Sequence, residues 1–340
     1  MMTREFADLH AELRSVARSL LAAGQPEWTV IAQAGWPGLE ITESLGGAGV
    51  SFAETAVVGE ELGRAAARTS HLGGSLGIGA LLALPPDTAR DHALVGAAEG
   101  TELPVAVLST GERADIGFTL AANGLNGTAD FVPDATEATR LLIPTLDSSG
   151  RPVLVDIESD TSGLTVTPRP TLDGSRRLAS VTADAAQPSQ VWPFPATQQL
   201  LNRATVTVAA DCLGLAEAML AATVDYVRIR HQFGRPIGSF QAVKHACADM
   251  LVQIRVTRSL VETAVDAVAA DSDATAAASM AKAYASDTAV AVAGKAMQLH
   301  GGIGYTWESG VHVYLKRATL NRSLFGSPTA HRRALAARLR

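Results

Sequence analysis

Cysteine is scarce: Cys212 and Cys247 are the only two in 340 residues. Both fall among apolar residues in helical patterns and read as buried thiols, so neither a disulfide nor a metal site is implied. Aromatic residues make up only 5% of a chain that is 47% hydrophobic. Alanine-rich runs at 274–278 and 289–296 suit closely packed helices instead. Net charge is only −6, which argues against nucleic-acid binding by phosphate neutralisation. No apolar run of about 18 residues is apparent, so no membrane span is expected. The first residues, Met1 to Asp8, lack the apolar centre of a signal peptide. These absences point to a soluble cytoplasmic protein, long enough for two or three domains.

What is present falls into three textures. Phe6, Leu9, Leu13, Val16 and Leu20 recur three or four apart, the spacing of one helix face. Breaks follow at residues 35–39 and at the glycine-rich 46–49; the second reads as a tight turn feeding a helix rather than as a phosphate loop. Ser51 with Glu54 three residues on is a helix-start signal. From about Leu103 short apolar runs appear at 104–108, 140–143, 152–155, 164–166 and 180–182. Asn123-Gly124 and Asn126-Gly127 are hairpin-type dipeptides, and 147–150 and 173–174 mark further turns. Helical texture returns after the Trp192 to Pro195 segment. The pattern alone gives an α+β chain, divided as 1–102 helical, 103–195 sheet and 196–340 helical.

Two polar stretches interrupt the last part. Arg230, Phe233, Gly234 and Gln241 lie in a connection between two long helical patterns. The second pattern carries Val243, Ala246, Cys247, Met250, Leu251 and Ile254 on one apolar face. Arg230 offers a fork of donors suited to phosphate, Phe233 a flat face and Gln241 an amide. Further on, Gln298, Leu299, His300, Gly301, Gly302, Gly304, Tyr305 and Glu308 form a second cluster. Adjacent glycines allow backbone N–H groups to approach a phosphate or ribose.

The first stretch resembles the first signature of the acyl-CoA dehydrogenase family, and the second resembles its second signature. The Glu60-Glu61-Leu62-Gly63-Arg64 helix resembles the family's N-terminal part. The resemblance implies an N-terminal helical domain, a middle β domain and a C-terminal four-helix bundle. It implies FAD, an acyl-CoA substrate and electron-transferring flavoprotein as acceptor. It also implies that Arg230, Phe233, Gln241, Gln298, Leu299, His300, Gly301 and Gly302 contact the dinucleotide of a neighbouring subunit.

Other family features are missing. The flavin-ring motif is eroded at Ser109, Thr110 and 129–133. The family's base position falls at Phe325 or Gly326, and the alternative position on the preceding helix falls at Ala204. None can accept a proton, so no catalytic residue is assigned. Glu308 reads as a structural carboxylate paired with an arginine. The basic end, residues 330–340, reads as a helix C-terminus with favourable cations rather than as a site for CoA phosphates.

Retention of one half-site and loss of the other resembles family members built from two different chains in an α2β2 heterotetramer. In such pairs the partner chain supplies the base, and some act on steroid-derived CoA thioesters, linking the chain to fatty acid or steroid degradation. The alternatives are a homo-oligomeric dehydrogenase with an unrecognised base, and a non-catalytic structural or regulatory paralogue. Neither a metal nor nucleic acid enters any of these readings.

Overall fold

A computed structural model describes residues 4–108 and 117–338. Five helices come first: α1 (Arg4–Ala22), α2 (Trp28–Gln33), α3 (Phe52–Arg64), α4 (His71–Leu82) and α5 (Thr88–Glu99). Ser51 starts α3 as expected. Its hydroxyl accepts the Ala53 N–H at 3.1 Å, and Glu54 accepts the Ser51 N–H at 2.9 Å, a reciprocal cap. On α1 the inner face is only partly the expected one: Leu13 and Leu20 pack on the core. Leu9 and Val16 are 41% and 48% exposed, while Ala17 and Leu21 are buried. The helix is rotated because Arg14 and Arg18 reach the buried carboxylates of α3.

The strands are β1 (Pro104–Ala106), β2 (Phe118–Ala121), β3 (Gly124–Pro133), β4 (Arg140–Asp147), β5 (Pro152–Glu158), β6 (Leu164–Pro168), β7 (Leu178–Ala186) and β8 (Gln190–Pro193). They form one mixed sheet in the order β6-β7-β3-β2-β4-β5-β8, with β1 added parallel to β4. Asn123 sits in the β2–β3 hairpin turn, since Ala121 pairs with Gly124. Asn126-Gly127 is not a turn. It lies inside β3 at a register shift against β7, where Gly127 takes φ +141°, as a strand-interior glycine at a bulge does.

The last part is a bundle of α6 (Thr197–Ile229), α7 (Gln241–Ala269), α8 (Thr275–His300) and α9 (Val311–Ser323). A two-residue pair, β9 (His231–Gln232) and β10 (Arg235–Pro236), joins α6 to α7, and α10 (Pro328–Arg338) packs on α8. By length and apolarity α6 could cross a membrane, contrary to the absence of such a run expected from the sequence. Within the fold, however, 78% of its most apolar window is buried. It is the central helix, packed by α3, α7, α8 and α9. Its crossing with α3 is a backbone contact. A Cβ on Gly63 would stand 2.1 Å from the Asp211 carbonyl, and one on Gly214 would stand 1.9 Å from that of Glu60. Only glycine at both positions allows this approach.

On α7 the buried face runs Met250, Ile254, Thr257, Val261, Ala264. Leu251 lies outside that face and is 44% exposed, beside Val252 and Val256. Cys212 is buried as expected, whereas Cys247 is only partly covered. The bundle is tied to the first helices by ion pairs. Glu60 meets Arg14 at 2.8 Å and Arg258 at 2.7 Å, Glu61 meets Arg18 at 2.8 Å, and Arg258 also meets Glu217 at 2.5 Å. Burial alone pushes the Glu60 carboxyl up, but the hydrogen bonds and charges of Arg258 and Arg14 hold it below the ordinary range.

Candidate functional site

The two signature stretches meet at one end of the bundle. The chain leaves α6 at Ile229, enters α7 at Gln241 and ends α8 at His300, so antiparallel neighbours bring these three termini together. Arg230 caps α6 in extended backbone, φ −75° and ψ 123°, its N–H bonded to the Tyr226 carbonyl at 3.0 Å. It is exposed and makes no ion pair among the described residues. Phe233 and Gly234 both have positive φ, +53° and +78°, the backbone of a tight two-residue hairpin turn. That turn throws the Phe233 ring outward, 90% exposed. It holds an edge contact with Phe240 at 6.2 Å, and the Arg235 guanidinium covers the other ring at 4.2 Å. Gln241 opens α7 and is exposed.

Across the gap, exposed Gln298 accepts the Lys295 ammonium at 2.9 Å. Gly301 breaks α8 with φ +62° and ψ −143°, and nothing lies within 4 Å of where a Cβ would stand on Gly301 or Gly302. The backbone there is bare and open. Leu299 and His300 face the other way. Leu299 packs on the core, and His300 is only 8% exposed. Its Nδ1 donates to the Ala296 carbonyl at 2.7 Å, and its ring stacks on Tyr226, centroids 4.5 Å apart. Six of the eight expected contact residues are therefore exposed at this end of the bundle, and Leu299 and His300 are turned inward.

A different picture holds at the junction of the first helices, the sheet and the bundle. Asp211 is 4% exposed. Its carboxylate takes Arg317 at 2.5 and 3.1 Å, Asn321 at 2.6 Å and Arg176 at 3.1 Å. Burial pushes its pKa up, but the two guanidinium charges outweigh that and hold it below the ordinary value. Arg317 also donates to the Ala67 carbonyl at 2.7 Å and the Ser175 hydroxyl at 3.1 Å. The cavity left here is about 20 Å³, room for roughly one water. Sequence reasoning missed this cluster, whose members lie in three distant parts of the chain.

The expected base positions carry no acid in space either. Phe325 and Gly326 form a left-handed turn, φ +55° and +100°, with the Phe325 side chain buried. Lys282, fully buried, donates to the Gly326 carbonyl at 2.9 Å, and His331 Nε2 donates to that of Phe325 at 2.9 Å. Burial pushes the Lys282 ammonium down to about 8 and the His331 imidazole down to about 4. Ala204 is fully buried beside Arg203, whose guanidinium pairs with Glu40 and covers Phe52 at 4.5 Å. Glu308 is exposed and makes no ion pair among the described residues, so the expected structural pairing is absent. The basic end does pair: Arg332 with Asp287 and Arg338 with Asp273, each at 2.5 Å.

On the sheet, Ser109 and Thr110 lie outside the described residues. The 129–133 segment contains a second register shift in β3, between Ala129 and Val132, where Phe131 takes φ +59° and is 47% exposed. Pro133 offers no N–H. Asp134 turns inward and accepts the Gly73 N–H at 2.8 Å. Burial pushes its pKa up to about 6.

Comparison with known proteins fits this geometry. The N-terminal-domain profile of acyl-CoA dehydrogenases matches residues 1–101, and the C-terminal-domain profile matches 194–340. The acyl-CoA dehydrogenase IpdE2 of Mycolicibacterium smegmatis is 35% identical over 331 residues, covering 96% of this chain and 91% of the relative. The chain belongs to the acyl-CoA dehydrogenase family. Among solved structures, the ChsE4-ChsE5 complex from Mycobacterium tuberculosis superposes with a TM-score of 0.88 at 26% identity, covering 100% of this chain and 98% of that one. The Tcur3481-Tcur3483 steroid acyl-CoA dehydrogenase gives 0.87 at 28% identity, covering 97% of each. The same fold occurs in a glutaryl-CoA dehydrogenase from Mycobacterium smegmatis in complex with FADH2, TM-score 0.86 at 18% identity, with coverage of 99% and 95%.

Proposed function

We propose that this acyl-CoA dehydrogenase chain works as one subunit of a two-chain enzyme for the α,β-dehydrogenation of an acyl-CoA thioester. Its open bundle end completes the FAD site of a partner chain, and that partner provides the catalytic carboxylate. The observation that carries this is the split within one chain: the bundle end is open, with Arg230 exposed and without an ion pair among the described residues, while the base positions hold Phe325, Gly326 and Ala204.

The residues at the open end fit the phosphate and ribose part of a dinucleotide. Arg230 has no competing carboxylate among the described residues and can pair with pyrophosphate. The bare backbone at Gly301 and Gly302 admits close approach of an anion or a ribose. Phe233 presents a flat face, and Gln241 and Gln298 present amides. The sheet segment 129–133 does not fit the flavin ring, since Pro133 lacks a donor and Asp130 is engaged by Arg169. When bound, FAD supplies hydride acceptance from the substrate β-carbon, as the α-proton goes to a carboxylate. In that division this chain binds and orients, and it moves no proton.

Similarity to the Tcur3481-Tcur3483 steroid acyl-CoA dehydrogenase and to the ChsE4-ChsE5 complex supports a steroid-derived acyl-CoA as substrate and an assembly of two unlike chains. An α2β2 assembly, the cytoplasm as its place and an electron-transferring flavoprotein as acceptor complete the proposal. Co-expression with a full-length dehydrogenase-like partner, followed by flavin spectroscopy, tests the proposal. The expected result is FAD on the pair and turnover that is lost when the partner's base is replaced. Turnover by this chain alone would refute it.

A further inference from the structure

The open site is made of two pieces that are far apart in sequence, carried on the ends of α6 and α8, which pack against each other. One is the α6 terminus with Arg230; the other is the α8 terminus with Gly301 and Gly302. Tyr226 and His300 are the ring pair between them, stacked at 4.5 Å with planes 20° apart. Each ring is tied directly to its own piece. The Tyr226 carbonyl receives the Arg230 N–H at 3.0 Å, one helical turn away. His300 immediately precedes Gly301 and is locked in orientation by its Nδ1–H bond to Ala296. Gly304 lets the following turn fold back on the same residue, since a Cβ there would stand 3.0 Å from the His300 Cβ.

From this we infer that Tyr226 and His300 form a clasp that fixes the spacing between Arg230 and the Gly301–Gly302 backbone, making Tyr226 a positioning residue for the dinucleotide. Neither ring touches the ligand. A site that holds an anion from two sides needs its donors preorganised, because any error in spacing lengthens one set of hydrogen bonds. Aromatic pairing of this kind is favourable beyond the area it buries. The clasp rests on the reading of this end as a cofactor half-site, so the test separates the two.

FAD is titrated into the apo form of the co-purified two-chain complex, carrying Tyr226→Leu, Tyr226→Phe, His300→Leu, the double leucine variant or Arg230→Ala. Thermal midpoint and elution volume are recorded for each. Tyr226→Leu and His300→Leu should each weaken FAD binding roughly three- to tenfold, the range that such a stack carries. The double variant should be no weaker than either single, and Tyr226→Phe should bind as the parent does. Midpoints of the apo complexes should fall by no more than about 4 °C, the cost of a lost contact of about 1 kcal/mol, and elution should not move. Parent-like binding by Tyr226→Leu beside a loss in Arg230→Ala overturns the clasp and leaves the cofactor reading standing. Parent-like binding by Arg230→Ala overturns both. Loss in Tyr226→Phe, additive losses in the double variant, or failure of Tyr226→Leu to assemble would assign the ring to another role and overturn the clasp.

Discussion

Asp211 and Arg230 belong to the same helix and have opposite fates. Asp211, in the middle of α6, is buried and fully engaged by Arg317, Arg176 and Asn321. Arg230, at its end, is exposed and unpaired among the described residues. A charged group that the fold has satisfied holds the fold together, and a charged group on an open, glycine-bare surface is free for a ligand. The junction around Asp211 closes the space between the three parts of the chain, whereas the bundle end leaves its donors facing outward. Residue type alone does not separate the two cases; partners do.

The largest effect should come from breaking the closed region. Asp211→Ala leaves two buried guanidinium groups without their carboxylate, which costs about 3–5 kcal/mol. Denaturant unfolding should show that loss, with the variant folded only marginally at ambient temperature. At the open end Arg230→Ala should leave stability within about 0.5 kcal/mol. In the two-chain complex it should weaken FAD by about 1.5–3 kcal/mol, the strength of charge-assisted hydrogen bonds, read by flavin titration. Equal stability losses at the two sites would erase the contrast.

A third test uses pH. Burial raises Asp134 to about 6, above its unfolded value, so the folded state holds this proton more tightly. The stabilisation is complete below the unfolded pKa near 3.9 and is lost as pH rises through about 6. Asp134→Asn keeps an acceptor for the Gly73 N–H and removes the charge. Unfolding at pH 8 should show the variant more stable by on the order of 2 kcal/mol, with little difference at pH 4. Asp156, also raised to about 6 by burial, keeps part of the slope. The smallest expected effect is Gly302→Ala: no loss of stability, because the site is open, but weaker FAD binding where the methyl obstructs approach.

Much of the fold was legible because its signals are local. The Ser51–Glu54 cap, the return of helical texture after Pro195 and the Asn123 turn each occupy a few adjacent residues. Family resemblance found the open end because its residues fall in two short stretches. His300 stood in such a stretch and yet faces inward. The signal for that was helical phase, since Ala289, Val292, Ala293 and Ala296 form the buried face of α8 and position 300 continues it. Leu251 is the converse, an apolar residue one position off the buried phase of α7. The Asp211 cluster was not legible because Arg317 lies 106 residues away, and no local pattern announces such a pairing. The Gly63–Gly214 crossing was hidden for the same reason.

The most direct test is FAD stoichiometry, measured from the visible spectrum of this chain purified alone and of the chain co-purified with its dehydrogenase-like partner. The shared-site reading expects no flavin on the chain alone and one FAD for each pair of unlike chains. A full complement of FAD on this chain alone would contradict it, and would place a complete flavin site within a subunit whose base positions are Phe325, Gly326 and Ala204.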